Sequence, residues 1–164
     1  MVGFLCTSTI LVFHRNIKMR ARKLAADLEY TRTYYPDTTY LNNNLKSHWV
    51  VRLPPFQGLY AGYTLELVIE FPGNYPFECP NLYFVQPVFY PSIQHWGSQY
   101  HIYSTIYKSQ WRAAMTPKDC NLQSVVDIVI RMLENPQPGS DAHKLQEDRE
   151  AYRRKVVEVM GPPS

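Results

Sequence analysis

The first regular pattern in the chain is an apolar stripe with helical spacing. Its members recur at the spacing of one helical turn: Ile17, Ala21, Leu24, Ala25 and Leu28. Tyr35-Pro36 follows, and proline disfavours helical backbone in the residue before it. The pattern therefore predicts a first helix that ends before residue 35.

Several later segments alternate with the two-residue period of β-strands. In residues 63–71 one face is apolar, with Leu65, Leu67, Ile69 and Phe71. Residues 48–53 place another apolar set on one face, namely Trp49, Val51 and Leu53. Residues 82–85 form a third strand, and a weaker one is predicted near residues 39–43. With Pro72-Gly73-Asn74 as a turn, these segments predict a four-stranded antiparallel meander.

Two helices are predicted after the strands. The first has one apolar face, made of Leu122, Val125, Val126, Val129, Met132 and Leu133, and Asn121 is its expected cap. The second, residues 141–160, is highly charged and is expected on the surface, with Leu145, Tyr152 and Val156 as its apolar positions. Strands followed by helices, without βαβ alternation, predict an α+β fold with helices on one face of a sheet.

Residues 88–115 lie between the strands and these helices and show little periodicity. A long irregular stretch inside a compact domain is usually functional. We therefore expect the functional site, or its remnant, in this stretch.

The length of 164 residues suits one domain. We expect that domain over residues 19–164, with residues 1–18 as an N-terminal extension of unknown role. The apolar residues 2–13 are fewer than the roughly 20 that span a bilayer, and no basic residue precedes them as in a signal peptide. A membrane partner is therefore not expected.

Charge and cysteine content exclude several classes of function. The net charge of +3 is too small to predict nucleic-acid binding, and the clustered basic residues fit either solvated helix faces or docking surfaces for acidic partners. The three cysteines are scattered, which fits a reducing compartment, so we expect a cytoplasmic or nuclear protein. Histidines and cysteines lack metal-ligand spacing, and neither a metal nor a cofactor is predicted.

Between about Met19 and Met160 the chain carries, in order, His48-Trp49 with Pro54-Pro55, the turn of residues 70–80, Trp111 and residues 148–152. Together these four motifs resemble the ubiquitin-conjugating enzyme family. Residues 70–80 resemble the family's F-P-x-x-Y-P-F-x-x-P turn, and His48-Trp49 with Pro54-Pro55 resembles its H-W strand and Pro-Pro pair. Trp111 resembles the tryptophan after the active site, and residues 148–152 resemble the D-R-E-x-Y of a late helix. The resemblance implies a ubiquitin-conjugating-type fold, with an N-terminal helix, a four-stranded antiparallel meander and C-terminal helices.

The chain departs from the family where catalysis occurs. Tyr90, Pro91 and Ser92 stand where the family has H-P-N, and Tyr100 stands where the cysteine of G-S-x-C belongs. The segment from Tyr100 to Trp111 is also longer than in the family. Catalysis needs a thiolate that holds ubiquitin as a thioester, whereas a phenol has a pKa of about 10. In the family the asparagine supports the oxyanion, and losing such a donor typically costs roughly 2.7–4 kcal/mol.

These departures predict a catalytically inactive member that acts as a binding partner in ubiquitin transfer. The expected partners are an active ubiquitin-conjugating enzyme, ubiquitin or a ubiquitin ligase. Two alternatives stay open: a divergent active enzyme that uses Cys120, and an interaction scaffold of the related RWD type, whose Y-P-x-x-x-P turn residues 75–80 also satisfy.

The resemblance also implies a surface that faces the ligase. By matching positions it comprises Arg20, Lys23, Phe77, Arg112 and Ala113. Phe77 fits a core residue equally well, and the two basic residues of the first helix also fit a solvated face.

Overall fold

The computed structural model describes residues 7–40, 47–102, 107–109, 111, 122–135 and 148–163. The helices and strands of these residues are α1 (Thr7–Tyr34), β1 (Thr39–Tyr40), β2 (His48–Arg52), β3 (Glu66–Glu70), β4 (Asn81–Phe84), β5 (Ile93–Trp96), β6 (Gln99–Ile102), α2 (Leu122–Glu134) and α3 (Arg149–Met160). A 3-10 turn, Gly58–Tyr60, lies between β2 and β3. The α+β class and the element order agree with the prediction.

The strands form one antiparallel sheet in the order β1-β2-β3-β4-β6-β5. Its register places Trp49 opposite Ile69, and Ile69 opposite Leu82. The first four strands are neighbours in chain order, so the predicted four-stranded meander is confirmed. The sheet has two more strands than were predicted, namely β5 and β6.

These two additional strands form a hairpin within residues 88–115, where no regular structure was predicted. Gly97 and Ser98 make its two-residue loop, and Gly97 has a φ of 61°, a left-handed conformation that favours glycine. The strand residues are largely polar and three of the four in β5 are exposed. Because the hairpin buries little apolar surface, its sequence lacks the alternation that predicts a strand.

The predicted apolar faces of β2, β3 and α2 share one hydrophobic core. Trp49, Leu67 and Ile69 are fully buried in it. The opposite face of the sheet carries a second, smaller cluster of Val50, Val68 and Tyr83. The centre of the sheet is therefore buried on both faces, although the alternation in residues 63–71 predicted burial on one.

Helix α1 ends at Tyr34, as predicted, and the face that it packs coincides only in part with the predicted apolar stripe. Leu24, Asp27 and Thr31 are buried, whereas Ile17 is 52% exposed and Ala21 and Ala25 are exposed as well. Leu24 and Leu28 of the stripe thus pack on the core as expected, and the inner face also includes the polar Asp27, which contacts Tyr75 and Lys23. The helix begins at Thr7, and the domain boundary at residue 19 stays a prediction.

Helix α3 begins at a side-chain cap. The Asp148 carboxylate accepts a hydrogen bond from the Ala151 backbone N–H at 2.9 Å. Tyr152 and Val156 are fully buried, as their spacing predicted, while Arg153 and Arg154 are exposed. Asn121 and Leu145 lie outside the described residues.

The length of α1 raises the question of whether it crosses a membrane. It comprises 28 residues. None of the helices in the described part of the chain combines the length and apolarity needed to span a bilayer.

Candidate functional site

The turn after β3 is attached to α1 through polar contacts. The Tyr75 hydroxyl donates to the Asp27 carboxylate, and Lys23 Nζ lies 2.5 Å from Asp27 Oδ1. One turn earlier in the helix, Arg20 Nε donates to the Pro72 carbonyl at 3.3 Å. These contacts satisfy a buried carboxylate and fix the start of the turn on the helix.

Trp111 holds the same turn from another side. Its indole Nε1–H donates to the Pro76 carbonyl at 2.9 Å, and its ring lies 5.8 Å from that of Tyr75. The Tyr75-Pro76 peptide bond is cis. The turn motif and the loop tryptophan, which the sequence resemblance treated as separate signals, are therefore one packed unit.

Phe77, at the tip of this turn, points to solvent. It is 56% exposed, so the core alternative for this residue is wrong. It borders an open cleft of about 390 Å³ together with Asn16, Asn74 and Glu78. An exposed phenylalanine beside a cleft is available to a partner.

The other predicted partner residues are placed differently. Arg20 and Lys23 lie on the inner side of α1, partly buried, and make the intramolecular contacts described above. Arg112 and Ala113 lie outside the described residues. The ligase-facing set thus stays a prediction, with Phe77 as its exposed member.

Tyr90, which the sequence resemblance matches to the family's histidine, is an interior residue. It is 6% exposed. Burial, with a smaller contribution from the neighbouring Tyr152, raises its pKa to about 12. Its carbonyl accepts a hydrogen bond from the Ile93 N–H at 2.9 Å, which closes a tight turn over Pro91 and Ser92. Pro91 is exposed and Ser92 is partly buried.

Tyr100, which the sequence resemblance matches to the family's cysteine, lies in β6 and is flanked by paired strands. It is opposite Phe84 of β4 on one side and His95 of β5 on the other. Its ring stacks on His95, with centroids 4.5 Å apart and planes 16° apart, and it packs against the main core. The phenol therefore has a defined position in the sheet.

Beneath this site lies a tyrosine pair that the sequence analysis did not identify. The Tyr60 hydroxyl donates to the Phe89 carbonyl at 2.6 Å, and it lies 2.9 Å from the Tyr152 hydroxyl. Burial raises the pKa of both phenols. Through Tyr60 the pair joins α3 to the segment that leads into Tyr90. Tyr60 and Tyr152 are 92 residues apart in the chain, so no local pattern reveals their contact.

The hairpin brings the altered positions together. Residues 90–92 lead directly into β5, and Tyr100 pairs with β5 across the loop. The one cysteine in the described residues, Cys79, is 7% exposed and packs in the core, as predicted. Cys6 and Cys120 lie outside the described residues. Among the described residues there is no cluster of potential metal ligands.

Comparison with known proteins assigns a family to this arrangement. A model of the family described as ubiquitin-conjugating enzyme matches residues 12–160. The chain is similar to "Ubiquitin-conjugating enzyme 15" of Arabidopsis thaliana, with 34% identity over 113 residues. The matched segment covers 68% of this chain and 63% of that relative.

Proposed function

Because the chain belongs to the ubiquitin-conjugating enzyme family, we propose that it is a noncatalytic member that acts as a binding partner in ubiquitin transfer. It would bind an active ubiquitin-conjugating enzyme, ubiquitin or a ubiquitin ligase. One feature of the sequence carries the proposal: by matching motif positions, Tyr100 aligns with the family's catalytic cysteine.

The chemistry of a phenol supports this proposal. A thiol is ionised enough near neutral pH to accept ubiquitin and is later a good leaving group, while an ordinary phenol, with a pKa of about 10, is protonated there. The Tyr100 ring is also stacked on His95. A side chain held in this way is suited to packing rather than to transferring an acyl group.

The residues around the nucleophile position also support the proposal. Ser92 replaces the amide that supports the oxyanion in the family and is shorter than asparagine. Tyr90 replaces the histidine before it and is directed into the core. Two separate parts of the catalytic site are therefore altered.

The exposed Phe77 supports a role in binding. Its ring borders the open cleft between α1 and the turn. Aromatic residues of this kind are enriched among those that dominate interface energies. The resemblance implies a ligase on this surface.

The first experiment asks whether the chain forms a thioester. The full chain is incubated with activating enzyme, ATP and ubiquitin, beside an active conjugating enzyme as a positive control. We expect no adduct that a reducing agent removes. An adduct that Cys120→Ser abolishes would establish the alternative of a divergent active enzyme, which the name of the Arabidopsis relative favours.

Restoring the nucleophile tests how far the site has changed. Tyr100→Cys should be charged weakly at most and should discharge little ubiquitin onto lysine, because small misplacements can cost about a hundredfold in rate. Tyr100→Cys with Ser92→Asn should be more active than either single variant. Discharge by Tyr100→Cys alone at the rate of an ordinary conjugating enzyme would contradict a doubly altered site.

A binding experiment identifies the partner class. Free ubiquitin, ubiquitin-loaded conjugating enzymes and ligases are each tested for retention by the immobilised chain. We expect Phe77→Ala to weaken ligase binding by about thirtyfold, the effect of a typical interface hot spot. Val85→Ala, at a residue that is 48% exposed, is the matched control and should bind normally.

A further inference from the structure

Strand β5 forms one edge of the sheet. It follows β6 at the end of the strand order, and within the described residues it pairs with β6 alone. An edge strand presents backbone N–H and C=O groups that can pair with another chain. Extended peptides bind other proteins by adding a strand to such an edge.

An exposed aromatic surface lies at the end of this strand. Trp96 is 65% exposed, whereas Trp49 and Trp111 are buried. The Trp96 ring lies 5.3 Å from that of His101, which lies 5.2 Å from that of Tyr83. The three rings continue the outer-face cluster of the sheet towards solvent and end in a tryptophan that a partner can cover.

A small open cavity of about 210 Å³ adjoins this surface. It is smaller than the roughly 300–1,000 Å³ of sites for small-molecule ligands and suits a single side chain. Its described lining comprises Asn81, Leu82, Gln94, Trp96, His101, Ile102, Tyr107 and Lys108.

The charge of the cavity selects an acidic side chain. Lys108 is a basic residue of the lining, and none of the described lining residues is a carboxylate. Lys108 Nζ is 3.4 Å from Asn81 Oδ1, at the long limit of a hydrogen bond. Glu70, which pairs with Asn81 in the sheet, lies 3.4 Å from His48 Nε2 instead. A carboxylate in the cavity would pair with Lys108.

We propose that β5 binds an extended acidic segment of a partner protein as an added strand. A glutamate or aspartate side chain enters the cavity at Lys108, and a neighbouring side chain covers Trp96. This surface is separate from the Phe77 cleft and requires no thiol, so the inference stands apart from the proposed function and its thioester test.

Synthetic peptides test strand addition and charge separately. The probes are a fluorescein-labelled octapeptide of alternating threonine and glutamate, its glutamine counterpart, and an N-methylated version that lacks backbone donors. With the full chain, we expect the glutamate peptide to bind about two- to fivefold more tightly than the glutamine peptide at low salt, the range of exposed ion pairs. Added salt should reduce this difference, and the N-methylated peptide should not bind.

Variants locate the site. Trp96→Ala should weaken binding by about tenfold or more, because exposed tryptophans often dominate interfaces. Lys108→Gln should abolish the preference for glutamate over glutamine while the glutamine peptide binds as before. Lys155→Gln, at an exposed lysine of α3, is the control and should behave as the parent chain. Circular dichroism verifies that each variant is folded.

Several results would overturn this proposal. Absence of binding at millimolar peptide excludes the site, and equal binding of the N-methylated peptide excludes strand addition. Equal binding of the glutamate and glutamine peptides to the parent chain excludes acidic selectivity. Tighter binding of an oligothymidylate through Trp96 would assign the surface to nucleic acid instead. Thioester formation in the earlier assay leaves the proposal unaffected.

Discussion

Two tyrosine hydroxyls meet in the interior below residues 89–90. Since the single proton of Tyr60 is directed to the Phe89 carbonyl, the contact with Tyr152 has the Tyr152 hydroxyl as donor. Both rings are fully buried. At the scale of single residues, this order of donors determines which hydroxyl matters more for stability.

Removing the Tyr60 hydroxyl should be the more harmful change. Tyr60→Phe leaves the Phe89 carbonyl without this donor and the Tyr152 hydroxyl without its acceptor, which should lower the free energy of unfolding by about 2–3 kcal/mol. Tyr152→Phe removes one donor and should cost about 1 kcal/mol. Urea unfolding of both variants measures the difference. Equal losses would contradict the assigned direction of the hydrogen bond.

Tyr90 should make stability depend on pH in the alkaline range. Its folded pKa of about 12 exceeds that of an exposed tyrosine, about 10, so burial of the neutral phenol contributes fully below pH 10 and is lost as the pH rises through 12. Over this pH window, the free energy of unfolding should therefore fall by about 1–2 kcal/mol less in Tyr90→Phe than in the parent chain. Urea unfolding at several pH values tests this, and parallel curves would refute it.

At the scale of elements, α1 and the turn of residues 72–80 depend on one carboxylate. Asp27 accepts from Tyr75 and pairs with Lys23, and its side chain is only 5% exposed. The helix therefore positions the turn that carries Phe77. A change at Asp27 should affect the cleft without altering any residue that lines it.

Asp27→Ala should destabilise the protein by about 2–3 kcal/mol, because the Tyr75 hydroxyl and the Lys23 ammonium both lose an acceptor in a largely buried place. Hydrogen exchange in the turn should also become faster. Glu29→Ala, two residues further along α1 and exposed, should change stability by less than about 0.5 kcal/mol. Comparable losses in the two variants would show that the contact at Asp27 is of little value.

The elements that the sequence predicted are those whose burial follows a simple period. Strand β3 and helix α2 each place their apolar residues against one core. The hairpin of β5 and β6 was not predicted, because most of its residues face water and show no apolar alternation. Gly97-Ser98 is the one loop signal that its sequence carries. The inner face of α1 was predicted only in part, through Leu24 and Leu28, because Asp27 and Thr31 are polar yet buried.

The candidate site also has features that the sequence could indicate and features that it could not. Tyr90, Ser92 and Tyr100 could be proposed as altered positions because they stand next to recognisable motifs, and that assignment stays a prediction. The pairing of Tyr60 with Tyr152 was not predicted, since it joins distant segments. The exposure of Phe77 depends on how the turn is held on α1, which no local pattern encodes.

At the scale of the whole molecule, the N-terminal half of α1 is largely exposed where its side chains are described. Arg15, Asn16, Ile17 and Lys18 are all exposed, and from residue 15 onwards the first buried residue is Leu24. Stability should therefore depend on the helix from about residue 19 onwards.

A chain that starts at Met19 should melt within about 2 °C of the full chain, since it loses exposed side chains in the described part of the helix. A chain that starts at Leu28 lacks both Leu24 and Asp27 and should be severely destabilised. Differential scanning calorimetry compares the three. A large loss on starting at Met19 would assign residues 1–18 to the folded domain.

The stack of Tyr100 on His95 has a consequence for evolution. Aromatic pairs of this geometry contribute about 0.5–1.5 kcal/mol beyond the area they bury, and Tyr100 also covers part of the core. A mutation from tyrosine to cysteine would expose that surface and incur a folding penalty before any catalytic advantage could be selected. For the noncatalytic member proposed above, the packing of this ring therefore opposes the appearance of a cysteine at position 100 until neighbouring residues have also changed.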